Sequence, residues 1–102
     1  MENKPRPVLY VITLRNKDTA RHQEQLEAHK AWVSKHAAAG RVLFGGSFDV
    51  RTEGGMIVAQ AESRAALDKM LSEDPFLIHG ITTHDVASFN VSLGSLVHTL
   101  AP

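Results

Sequence analysis

With six histidines and no cysteine among 102 residues, imidazole is the side chain best suited here to move a proton or hold a ligand. His22, His29 and His36 recur at intervals of seven. Turned as a helix at 3.6 residues per turn, segment 19–39 puts all three on the stripe that Leu26 and Val33 mark as apolar. Imidazole titrates near neutrality, and burying it unpartnered costs free energy. A histidine at the centre of a core-facing stripe therefore needs a partner, and His29 is that histidine. His22 and His36 fall at the helix ends, where half-exposure is expected. The spacing argues against a metal. Residues seven apart on one helix are separated by about 10.5 Å along its axis, at a rise of ~1.5 Å per residue. One ion with metal–nitrogen bonds of ~2.1 Å cannot take two of them. Ligands would have to come from elsewhere, such as His79 or His84, and no short ligand pair stands out. No metal and no other cofactor is expected.

Other chemistries leave weaker traces. Ser47, Ser88 and Ser92 have no histidine adjacent in sequence, so a serine triad has no signature. Gly45-Gly46 lacks the phosphate-loop pattern and reads as a bulge or a close backbone approach. The absent cysteine excludes disulfides, thiolate metal sites and cysteine nucleophiles together. Charges balance, 11 basic against 11 acidic, with no basic face, so nucleic acid is not an expected partner. No apolar run approaches the ~20 residues of a membrane span, and the first seven residues carry no signal-like apolar region. A cytoplasmic protein without membrane contact is the expectation.

The elements that must position these residues follow from hydrophobic period and punctuation. Residues 1–7 read as a frayed lead-in. A strand over 8–14 is rich in β-formers and apolar on both alternating faces. Asp18 or Thr19 offers an N-cap to the long helix, and Gly40 suits its left-handed C-terminal position. Strands over 42–48 and 56–61 flank a turn at 52–55 and form a hairpin. Ser63 caps a short helix over 64–71. Asp74-Pro75-Phe76-Leu77 is a tight helical turn, 82–93 a fourth strand, and 94–102 a weakly patterned tail. The single domain thus spans 8–93, in the order β-α-β-β-α-β. That is the ferredoxin-like α+β unit: a four-stranded antiparallel sheet with two helices on one face. Because the other face is apolar too, a face-to-face homodimer is expected.

Ala28-His29-Lys30-Ala31-Trp32-Val33, Gly40 eleven residues after His29, Leu43-Phe44-Gly45-Gly46 and Asp74-Pro75-Phe76, in that order and spacing, resemble the YCII-related (YciI-like) family. The likeness runs from about residue 8 to residue 92. It implies the dimeric α+β barrel superfamily, which also holds muconolactone isomerases and cofactor-free monooxygenases. Most activities in the family are uncharacterised, and one characterised relative is a dehydrochlorinase of chloroaromatic breakdown. The family's helical histidine and the aspartate of its Asp-Pro-aromatic motif correspond to His29 and Asp74. Two positions depart from the family. Lys30 replaces the usual leucine and reads as a solvent-facing change. Gly46-Ser47 replaces Gly-Pro and would reshape the pocket wall.

Residue chemistry and resemblance together make His29 and Asp74 the catalytic candidates. A carboxylate accepting from one ring nitrogen fixes the tautomer and leaves the other as general base or acid, an effect of about 10²–10⁴-fold in rate. The bland alternatives are a histidine packed in the core and an aspartate that only caps, since Asp-Pro is a common N-cap and N1 pair. Tyr10, Trp32, Gly46, Ser47 and Phe76 are candidate substrate contacts, with plain packing the alternative for Tyr10 and Trp32. The expected function is a cofactor-independent isomerisation or elimination on a small cyclic or aromatic metabolite. The alternatives are a non-catalytic dimeric module for a small ligand and a cofactor-free oxygenase.

Overall fold

The strand that begins the domain, β1 (Val8–Asn16), has two apolar faces, and the rest of the chain is arranged around it. In the computed structural model residues 8–100 are described; the lead-in 1–7 lies outside them, as do the last two residues of the tail. Asp18 accepts a hydrogen bond from the Arg21 amide and starts a 3₁₀ turn, Thr19–Arg21, that runs into α1 (His22–Ala38). Gly40 then sits at φ 78°, the left-handed conformation that lets the chain leave the helix and turn back. Strand β2 (Val42–Ser47) follows, then a 3₁₀ turn, Arg51–Glu53, then β3 (Gly54–Ala59). The Ser63 hydroxyl accepts from the Ala66 amide at the start of α2 (Arg64–Leu71). Asp74 caps the one-turn α3 (Pro75–Ile78), and β4 (Thr82–Asn90) closes the sheet.

Strand order is β2-β3-β1-β4, antiparallel throughout. Ile12 lies opposite Ile57 on one side and Val86 on the other. On the helix side Tyr10, Ile12, Leu14, Ile57 and Ala59 pack against Trp32, Leu67, Met70, Leu71 and Phe76 in one core. Both main helices therefore cover one face, as expected for a ferredoxin-like α+β domain.

Several details of the strands differ from expectation. Strand β3 begins at Gly54 because the glycine pair, which looks like a turn in sequence, pairs with Arg15 and Leu14. The register shift in β2 falls between Val42 and Phe44, just before Gly45-Gly46. Strand β4 stops at Asn90, where Val91 turns inward onto Leu9 and Val58. The tail then forms a one-turn helix, α4 (Val97–Leu100), and Val97 packs on that same small cluster. The second sheet face thus has a partial cover from within the chain.

Candidate active site

Aspartate and proline in sequence favour a helix start, because the carboxylate takes an orphan amide and proline lacks one. At α3 this is realised: Asp74 Oδ1 accepts the Phe76 amide at 3.0 Å. The turn is held beside α1 by the backbone. Lys17 N–H donates to the Ile81 carbonyl at 2.8 Å, and Ile81 N–H donates to that of Phe76 at 2.8 Å. The same Oδ1 thereby meets the middle of α1, where His29 Nδ1 approaches to 2.7 Å. The other oxygen, Oδ2, faces β4 and takes His84 Nε2 at 3.0 Å. Asp74 is fully buried, yet both of its oxygens are engaged. Burial pushes its carboxyl up, but the bonds from His29 and His84, the His29 charge and the Phe76 amide outweigh this and hold it below its ordinary value. An ionised carboxylate only accepts, so both imidazoles donate to it.

His29 consequently carries its proton on Nδ1 when neutral, and Nε2 has no partner among the described residues. Its ring stacks on Phe76, with centroids 4.0 Å apart and planes 8° apart. His22, one histidine earlier on the stripe, packs on Phe76 at 4.6 Å and is half-buried. His29 borders a cleft of about 620 Å³ between α1 and the β2–β3 end of the sheet. Gly46, Ser47 and Phe76 line this cleft as well. Among the described residues no group of three histidine or acidic side chains could hold a metal ion.

Tyr10 and Trp32 do not line the cleft. Tyr10 belongs to the helix-side core, because β1 residues of its parity face the helices, not the opposite side of the sheet. The Trp32 indole N–H donates to the Met70 carbonyl at 3.1 Å, which fixes the ring between α1 and α2. It backs the His29 ring at 5.9 Å. His36 also departs from expectation: it is buried, 3% exposed, because the chain after Gly40 brings Arg41 Nε to its Nδ1 at 2.9 Å. Lys30 is solvent-exposed, as read from sequence, yet it also borders the cleft.

His84 is the site residue that sequence reasoning missed. It shares parity on β4 with Thr82 and Val86, so strand alternation assigns it to the helix face beside His29's helix. Arg51 was missed too. Its 3₁₀ turn is tied down by the Asn16 side-chain amide, which donates to the Arg51 and Thr52 carbonyls at 3.2 and 2.9 Å.

A ferredoxin-like α+β domain with an aspartate-anchored histidine at a cleft of ligand size defines the class. The chain belongs to the YCII-related domain family, whose model matches residues 8–90. No curated protein matches in sequence. Among solved structures the fold is similar to 5-chloro-2-hydroxyhydroquinone dehydrochlorinase (TftG) from Burkholderia phenoliruptrix AC1100, in complex with 2,5-dihydroxybenzoquinone. The TM-score is 0.67 at 19% identity, over 84% of this chain and 95% of that one. At that identity the likeness is one of fold.

Proposed function

We propose that the chain is a small cofactor-independent enzyme that moves a proton on a small cyclic or aromatic metabolite through His29, by isomerisation or elimination. The observation that carries this reading is the 2.7 Å contact of His29 Nδ1 with a buried, ionised Asp74 on a ring that borders the cleft. Nε2 is then the base. It takes a proton from an acidified carbon, and the C–H electrons form a double bond. Asp74 orients the ring and stabilises the imidazolium; its low proton affinity leaves the proton on the imidazole. In an isomerisation Nε2–H returns the proton to another carbon. In an elimination the new double bond expels a leaving group from the neighbouring carbon, and no external oxidant or reductant is needed.

The cleft volume falls within the ~300–1,000 Å³ common for small-molecule sites. The dehydrochlorinase of similar fold binds a six-membered quinone ring, and a ring of that size is the substrate class proposed here. We also propose that the chain works in the cytoplasm as a homodimer. A second reading, a non-catalytic small-ligand module, draws support from Asp74's capping bond, which gives that residue a structural duty of its own.

The test is solvent deuterium uptake by candidate carbon acids, including lactones and halogenated hydroxyquinols, followed by NMR. The native chain is expected to exchange one C–H site, and His29→Ala to slow it by about 10²-fold or more. Undiminished exchange in His29→Ala would remove His29 as the base, and no exchange by the native chain above the uncatalysed rate would favour the binding module.

A further inference from the structure

We propose that the cleft is built for an anion, a small ring bearing a carboxylate, and that Lys30 and Arg51 recognise its charge. This rests on the reading of the cleft as a small-molecule site and adds the class of ligand.

The chain as a whole is neutral, with 11 basic and 11 acidic residues. The cleft is not. Its lining includes Lys30, Arg51 and two imidazoles, and no carboxylate. The cations stand on different walls: Lys30 follows His29 on α1, while Arg51 is carried by the turn between β2 and β3. The backbone that carries Arg51 is held in place because its turn is clamped through the Asn16 amide, and Asn16 itself borders the cleft. Among the described residues no carboxylate pairs with the Arg51 guanidinium, so its fork of donors is uncommitted. Lys30 has one competitor, Glu27, at 3.7 Å, with the two side chains 61% and 86% exposed. A pair so exposed is weak and yields readily to a ligand that brings its own charge. Thr82 lies on the same lining, and its buried hydroxyl finds no partner among the described residues.

The chemistry that matches a planar guanidinium fork on one wall and a point charge on the other is a carboxylate on a flat ring. Anchored there, the ring lies against His29. Negative charge that develops on it as a proton leaves is then met by the two cations.

The experiment compares 2,5-dihydroxybenzoate with hydroquinone, rings that differ by the carboxylate. Affinities are read by calorimetry and by NMR of the His29 ring, in the native chain, Lys30→Leu, Arg51→Gln and the double variant. Both positions are exposed, and circular dichroism verifies that the variants fold. The carboxylated ring is expected to bind the native chain about tenfold or more tightly than hydroquinone. Added salt should erode that preference, each single variant should reduce it, and the double variant should abolish it with hydroquinone affinity unchanged. Equal affinity of the two rings for the native chain, or a preference that survives in the double variant, would overturn the anion assignment. In either case a hydroquinone that still perturbs the His29 resonances leaves the site reading standing. If neither ring perturbs them, both readings fall.

Discussion

At the scale of single residues, Asp74 joins two duties that pull on the same atoms. Oδ1 caps α3 through the Phe76 amide and holds His29, while Oδ2 holds His84. Asparagine is as good an N-cap as aspartate, but its amide nitrogen would face an imidazole N–H. Asp74→Asn is therefore expected to cost only about 1–2 kcal/mol of stability in urea unfolding. Its effect on turnover is expected to be far larger, about 10²-fold or more, because His29 keeps an acceptor but loses the negative charge that stabilises its imidazolium. Equal, small effects on both would show that Asp74 only caps. The acid response divides in the same residue-by-residue way. Burial, followed by the Arg41 charge and only partly opposed by Glu73, holds His36 below its ordinary value of 6.5. Between 6.5 and that native value the unfolded chain takes up a proton that the folded chain resists, so stability is lost as pH falls through this range and is unaffected above it. Asp74 acts lower down: its carboxyl contributes stability above the ordinary 3.8, and this is lost as pH falls through its depressed native value. His36→Gln keeps an acceptor for Arg41 and should flatten the fall in urea midpoint between about pH 7.5 and about pH 5. At this scale His29 was legible because a helical stripe exposes any polar intruder, and His84 was within reach of strand parity. Lys30 and Arg51 were not legible as cleft residues, since a rim side chain's surroundings depend on how a turn folds back, which no period encodes.

The elements differ in how firmly their glycines are specified. A Cβ on Gly55 would stand 2.3 Å from the Gly46 carbonyl oxygen, a backbone atom that cannot yield without disturbing the β2–β3 pairing. A Cβ on Gly46 would meet nothing within 4 Å. Gly55→Ala is expected to lose about 1–3 kcal/mol in urea unfolding. Gly46→Ala should change stability by less than about 0.5 kcal/mol. A Gly55→Ala chain as stable as the native one would mean that β2 and β3 do not meet in this register. The same glycines explain why the hairpin was hard to delimit. Gly54 and Gly55 carry no β-propensity, so the sequence offers a turn where close approach of three strands requires residues without side chains. The long helix was easier, because Asp18, the periodic stripe and Gly40 each mark a boundary by their own chemistry.

The whole molecule has one face it does not finish. Opposite the helices, Leu9, Val58 and Val91 are buried with Leu43 and Val97 against them. Around that patch Phe44, Met56 and Phe89 remain 58%, 37% and 54% exposed. By register these three share the face of Leu9, from the β2 edge of the sheet to the β4 edge. Two apolar sets on one strand told the sequence reader that both faces would be covered; they did not tell that the tail would supply part of the cover, because 94–102 has too little pattern to place. What remains is an apolar surface of the kind that soluble chains rarely leave in water. A second copy laid sheet to sheet removes it, and the cleft on the helix side stays open. Light scattering at micromolar concentration should therefore return about twice the 11.2 kDa of one chain. The buried total should be near the ~1,600 Å² of a standard interface. Phe44→Lys with Phe89→Lys places charges at both edges of that face and should return the single-chain mass, with circular dichroism and the His29 ring resonances unchanged. A native chain that scatters as a monomer, or a doubly charged variant that still scatters as a dimer, would show that this face is not where the copies meet.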